Sequence, residues 1–299
     1  MRTAVVVVAA LVLAGGCGKK KKQEAEPAPE NPLEVARLVL EQACEAGELE
    51  RCRSLGVLYA EGTGVDRDET RAVVLWARAC DGGNASACNN LALAYAEGLG
   101  VEPDPGRAVR LYSKSCEANH FLACRNAGLM HAQGRGIPRD VTTAVRLFHK
   151  ACDNGVVFAC NNLGSHYQRG EGVERDDGKA ITLFKQACDI GDPSACRNLG
   201  MAYVQGRGVP AGLAPAAVWL RKGCDGADVA ACRALGALLA DGGGGVDRDE
   251  EGAKQALGRA CRRGDDPACR ILLERGWATM KDADAQGRGQ PETPTTPTR

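Results

Sequence analysis

Residues 159–196 read ACNNLGSHYQRGEGVERDDGKAITLFKQACDIGDPSAC, one complete structural unit and the start of the next. Cys160 and Cys196 stand 36 residues apart, and seven residues separate Cys188 from Cys196. The same spacing runs outward in both directions. It gives the pairs Cys44/Cys52, Cys80/Cys88, Cys116/Cys124, Cys152/Cys160, Cys188/Cys196, Cys224/Cys232 and Cys261/Cys269, stepped by 36 residues with a single 37 before Cys261. Cys17, the fifteenth cysteine, belongs to no pair. Self-similarity at this period marks a repeat array, in which each unit buries its apolar face against its neighbours.

Two cysteines eight positions apart on one helix would have Cα atoms about 12 Å apart. A disulfide needs them within about 7 Å. Bridged pairs therefore require the chain to turn back, so that one cysteine closes a helix and its partner lies early in the next. The third residue after each first cysteine is Gly47, Gly83, Asn119, Gly155, Gly191, Ala227 and Gly264. Gly, or Asn in one unit, is what a left-handed helix C-cap accepts at least cost. A second scheme, Cys52 to Cys80 and onward, would also join the ends of a helix hairpin, but it strands Cys44 and Cys269. The close pairs use all fourteen and are favoured, although spacing alone does not fix connectivity. Free thiols are the bland alternative. Metal is the weak one, because Cys-x7-Cys is not zinc-knuckle spacing and the chain holds only four histidines.

Within the unit, Leu55, Leu91, Leu163 and Leu199 precede Tyr59, Tyr95, Tyr167 and Tyr203 by four residues, one helical face. Gly56, Gly128, Gly164 and Gly200 sit beside that face and admit a close neighbour. This first helix stops at a recurrent Gly-x-Gly, as in Gly62/Gly64, Gly98/Gly100, Gly170/Gly172 and Gly206/Gly208. A phosphate loop would need a preceding strand, and here a helix precedes it each time. Asp68, Asp104, Asp140, Asp176 and Asp249 are placed as N-caps of a second helix that runs to the next cysteine. Short helices rich in Ala and Gly, with no alternating strand pattern, predict an all-α solenoid.

The pattern Ala-Cys-x-Asn-Leu-Gly-x-x-Tyr-x-x-Gly-x-Gly-Val, then Asp, then Ala-x-x-Leu-Phe-x-x-Ala-Cys resembles the Sel1-like repeat, a relative of the tetratricopeptide repeat, in its cysteine-rich exported bacterial form. The resemblance implies a right-handed α/α solenoid of about 36-residue helix hairpins. It covers Leu33 to about Met280, with a half unit at each end. Departures gather late: Pro210-Ala211-Gly212 disturbs one loop, Gly242 to Gly245 adds a residue, and Leu239 replaces the Tyr.

The chain begins with Arg2, an apolar run from Ala4 to Ala14 and then Gly15-Gly16-Cys17, the plan of a secretory signal too short to span a bilayer. Ala14-Gly15-Gly16-Cys17 resembles the lipobox of bacterial lipoproteins, with Ala14 where Leu is usual. The expected organisation is a lipoprotein signal peptide over 1–16, lipidated Cys17 with a Lys/Glu/Pro tether over 17–32, the solenoid over 33–280, and a disordered polar tail over 281–299. By resemblance, a lipoprotein without Asp after the cysteine is sorted to the outer membrane, facing the periplasm or the cell surface. Disulfides require the same kind of oxidising compartment.

Charge names no partner: 38 basic and 38 acidic residues balance, which argues against nucleic acid. His120, His131, His149 and His166 read as ordinary repeat substitutions. The most suggestive constellation is a row of amides, Asn90, Asn126, Asn162 and Asn198, with Arg125 and Arg197 beside it. Asn is a mediocre helix former, so four copies at one position call for a reason. On a concave face they could grip the backbone of an extended peptide by donating and accepting together; the competing reading is that they bond nearby backbone as scaffold. The expectation is a monomeric, membrane-tethered scaffold for peptides or proteins, with no cofactor, metal or catalytic residue. The resemblance also carries a rival, because some cysteine-rich relatives are described as β-lactamases or penicillin-binding proteins. None of the six serines has Lys three positions on, and no Gly-x-Ser-x-Gly or His-Glu-x-x-His occurs.

Overall fold

A computed structural model describes residues 32–278. The signal segment, Cys17 and the polar tail lie outside the described residues, as does the tether except Pro32, which opens the first helix. Among the described residues the regular structure is helical, and one isolated bridge joins Gly243 and Val246. The odd-numbered helices are α1 Pro32–Glu45, α3 Glu69–Asp81, α5 Pro105–Glu117, α7 Val141–Asp153, α9 Asp177–Asp189, α11 Leu213–Asp225 and α13 Glu250–Arg262. The even-numbered ones are α2 Leu49–Glu61, α4 Ala85–Glu97, α6 Phe121–Gln133, α8 Val157–Arg169, α10 Pro193–Gln205, α12 Val229–Asp241 and α14 Asp266–Glu274. Each unit is an even helix packed on the odd helix that follows it, and consecutive units stack into an α/α solenoid.

Local chemistry sets the boundaries. The side chains of Asp68, Asp104, Asp140, Asp176 and Asp249 each accept the N–H three residues on, from Arg71, Arg107, Thr143, Lys179 and Gly252. Such a cap satisfies a donor that the helix itself leaves open. Pro210-Ala211-Gly212 breaks the rule as its sequence suggests, since Gly212 caps α11 with no side chain. In the Gly-x-Gly loops the two glycines have different duties. Gly98 ends α4 at φ 74°, a left-handed cap, while a Cβ on Gly100 would fall 2.3 Å from the backbone carbon of Glu69 in the preceding unit. The loop is a packing device between units.

Inside the unit, a glycine of the even helix makes room for a large buried side chain of the next odd one. A Cβ on Gly164 would stand 2.8 Å from the Phe184 ring, one on Gly128 2.8 Å from Phe148, and one on Gly56 2.5 Å from Trp76. Ala92 takes this place only in the unit whose odd helix carries Tyr112. Phe148 and Phe184 are essentially sealed from solvent.

Among the described residues seven disulfides close the seven-residue gaps: Cys44–Cys52, Cys80–Cys88, Cys116–Cys124, Cys152–Cys160, Cys188–Cys196, Cys224–Cys232 and Cys261–Cys269, with Cα–Cα distances of 4.4–4.8 Å. The alternative scheme fails at every step. Cys88 turns back to Cys80 and not forward to Cys116, and Cys232 turns back to Cys224 and not forward to Cys261. Each bridge ties the end of an odd helix to the start of the next even one, so the staple crosses from one unit to the next. All seven turn positions hold positive φ, including Asn119 at 63° and Ala227 at 74°. Even helices of adjacent units also touch, as α2 with α4, α10 with α12 and α12 with α14. That approach puts the even helices on the inner side of the curve. Among the described residues no helix is long and apolar enough to cross a membrane.

Candidate interaction surface

The inner side is built from the residues that follow the second cysteine of each pair. Those cysteines lie beneath it: Cys88 and Cys232, each 1% exposed, directly precede Asn89 and Arg233 and offer nothing to a ligand. Their place among the functional positions is to fix the helix start that carries the row. The first turns point toward the adjacent unit, and the amides found there bond each other across the boundary. Nδ2 of Asn126 donates to Oδ1 of Asn89 at 3.1 Å, and Nδ2 of Asn198 donates to Oδ1 of Asn161 at 2.8 Å. Nε of Arg125 donates to Oδ1 of Asn162 at 3.2 Å. Asn90 accepts a long bond of 3.5 Å from Asn89. The four expected amides and both arginines thus share one half-buried row, and part of their bonding capacity is spent inside the stack. An amide can donate twice and accept twice, so each keeps capacity toward solvent.

Cap residues complete the row. Asn84, Asp192, Asp228 and Asp265 start α4, α10, α12 and α14 with side-chain bonds to first-turn N–H groups. Asp228 also takes Nη1 of Arg197 at 3.0 Å, and Asp265 takes Nη1 of Arg233 at 2.7 Å. At the first unit, hydrogen bonds from Arg53 and Asn84 hold the Glu50 carboxyl below its ordinary pKa. Burial lowers the Arg125 pKa, and Asp192 opposes that through space.

A second ladder, on the odd helices, lies outside the sequence reading. The residue two before the first cysteine reaches the end of the preceding odd helix: Arg78 to the carbonyl of Glu45, Lys114 to that of Cys80, Lys150 to that of Cys116. Lys222 and Arg259 instead meet the Asp189 and Asp225 carboxylates. A cation at a helix C-terminus answers the unpaired carbonyls and the dipole there. The recurrence of Lys or Arg at this position is the signal that could have found it.

The histidines sit where repeat substitution puts them. His131 occupies the Tyr place of α6, His166 stacks on Phe148 at 5.5 Å, and His149 meets Asp153 at 2.8 Å on the surface. His120 starts α6. Among the described residues no group of three or more His, Cys, Asp or Glu could hold a metal ion.

Comparison with known proteins decides the family. The Sel1 repeat profile matches residues 52–84, 85–120, 122–156, 157–192, 193–228 and 229–265, well over half of the chain. The chain belongs to the Sel1 repeat family. No curated protein resembles this Sel1 array significantly in sequence. Among solved structures, a protective antigen of uropathogenic Escherichia coli displaying an SLR fold is similar at 29% identity and a TM-score of 0.73, over 86% of this chain and 55% of that one. The Sel1 array thus spans about half the length of that relative. A Sel1 repeat protein from Oxalobacter formigenes is similar at 24% identity and a TM-score of 0.68, over 75% of this chain and 96% of that one, which shows the shared fold. Seven closed bridges belong to a Sel1 array exported to an oxidising compartment.

Proposed function

We propose that this Sel1 array is an exported, lipid-anchored scaffold that binds peptide or protein ligands on the inner surface of its even helices. The observation that carries the reading is the row of half-buried amides, whose partners within the stack use only part of their donors and acceptors. An extended backbone needs that combination of donors and acceptors at a repeating interval. Cys17 would carry the lipid, by its lipobox-like setting, and the tether would hold the array off an outer-membrane surface. The relative from uropathogenic Escherichia coli is called a protective antigen, which agrees with a place outside the cytosol. The hydrolase alternative gains nothing from the serines: Ser115 Oγ donates to the Ala85 carbonyl, Ser165 Oγ to the Asn161 carbonyl, and Ser194 Oγ to the Asp228 carboxylate.

Affinity capture from cell-envelope extract tests the proposal. Immobilised residues 33–280 should retain a polypeptide that the Asn90→Ala/Asn162→Ala variant loses while keeping its melting temperature. Equal capture by both proteins, or a fall in melting temperature with capture intact, would assign the row to scaffolding alone.

A further inference from the structure

In two adjacent units the even helix carries a large exposed apolar side chain in its first turn. At the second residue past the cap, α4, α10 and α12 carry Ser86, Ser194 and Ala230, and α2 carries Glu50. In α6 and α8 that residue is Leu122, 44% exposed, and Phe158, 52% exposed. The caps of these two units lack a polar side chain that bonds the first turn, as does Glu48 of α2. The N–H groups of Ala123 and Ala159 turn instead to the backbone carbonyls of His120 and Val156, and no cap side chain takes the N–H groups of Leu122 and Phe158 as Asp192 takes that of Ser194 at 2.9 Å.

Arg125 departs as well. Its counterparts Arg197 and Arg233 are neutralised by the cap carboxylate of the next unit. For Arg125 that cap is Val156, and among the described residues no carboxylate lies within ion-pair range of its guanidinium. The group bonds Asn162 and lies 5.7 Å from the centre of the Phe158 ring. One unit further on, Asp192 is 2% exposed and its Oδ2 has no partner among the described residues, because Asn161 stands where an arginine would have paired with it. Lys150, 6.0 Å from the Phe121 ring, adds a second cation along this edge. Three kinds of group therefore meet at one place: exposed apolar side chains, a cation that Asp192 reaches only through space and no carboxylate contacts, and the positive ends of two helices.

We propose that the starts of α6 and α8, through Leu122, Phe158 and Arg125, dock a peptide segment carrying a carboxylate next to a large apolar side chain. The carboxylate answers Arg125 and the open first-turn N–H groups; the apolar side chain covers Phe158 and Leu122. Charge complementarity chooses this occupant over a basic or purely apolar one. The inference rests on the peptide-scaffold reading and gives it a place and a chemistry.

Fluorescence anisotropy with the mature chain tests it, using labelled Gly-Ser-Glu-Leu-Glu-Phe-Glu-Leu-Gly and the same peptide with Lys for every Glu. The acidic peptide should bind at least tenfold tighter than the basic one. Arg125→Gln and Phe158→Ser should each weaken it by tenfold or more, Arg125→Lys by much less, and Arg146→Gln on the outer helix by less than twofold. Equal binding of the two peptides, no binding of the acidic one, or indifference to Arg125→Gln would overturn the proposal. If the chain still captures an envelope polypeptide in that case, the scaffold reading survives and only this edge assignment falls; if capture fails too, both fall.

Discussion

Asn126 and Asn89 join two units of the array through a side-chain bond that spans 37 residues of sequence and 3.1 Å of space. Asn89 is 8% exposed, so water cannot readily replace a lost partner. Asn126→Ala should cost about 1–2 kcal/mol, the usual penalty for an acceptor left buried and unpaired. The double change Asn89→Ala/Asn126→Ala should cost less than the two single changes added together, as coupled groups do. Urea unfolding of the four proteins measures the coupling; strict additivity would mean that the bond contributes nothing.

Ala227 holds φ 74° in a turn where five of the other six units use glycine and one uses Asn119. A Cβ in that region is strained by about 1–2 kcal/mol. Ala227→Gly should therefore stabilise the array, by about 1 kcal/mol after the extra chain entropy of glycine is subtracted. A raised midpoint in chemical unfolding checks it.

Each bridge closes a short loop worth about 2–3 kcal/mol in the chain-entropy model, and it does so across a unit boundary. Replacing Cys116 and Cys124 with Ala in the middle of the array should do more than lower the melting temperature: it should split one unfolding transition into two, because stacked units communicate only with neighbours. The same replacement of Cys261 and Cys269 should loosen the last units and leave one main transition. Differential scanning calorimetry distinguishes the two patterns.

Burial lowers the pKa of His120, His131 and His166. A base whose folded pKa lies below its unfolded value of about 6.5 binds protons more readily when unfolded. Stability should be fully present above that value and should decline as pH falls through it toward the folded pKa values. Melting at pH 7.5 and 5.5 should show the loss. His166→Leu, which installs the residue found at Leu58 and Leu238, should reduce it.

The sequence made some of this legible and hid the rest, for a physical reason. The five Asp caps, the seven turn positions and the close cysteine pairs are local, set by chemistry within about a dozen residues, and the period exposes them repeatedly. Gly164 against Phe184 was half legible: the glycine announced a close neighbour without naming it. The bonds from Asn126 to Asn89 and from Lys150 to the Cys116 carbonyl join residues more than thirty positions apart, and they exist only once the units stack. The amide row is therefore found by recurrence, while its partners are not. The starts of α6 and α8 show the opposite case, since Leu122, Val156 and Phe158 stand out only after the rule they break has been established.

Photo-cross-linking in cells tests the scaffold reading most directly. With p-benzoylphenylalanine in place of Leu93, which is 45% exposed on α4 at the seam with α2, illumination should yield a covalent adduct with another polypeptide. The same group in place of Thr182, exposed on the outer helix α9, should yield none. Adducts from position 182 alone, or from neither position in cells that fold and export the protein, would contradict a peptide-binding inner surface.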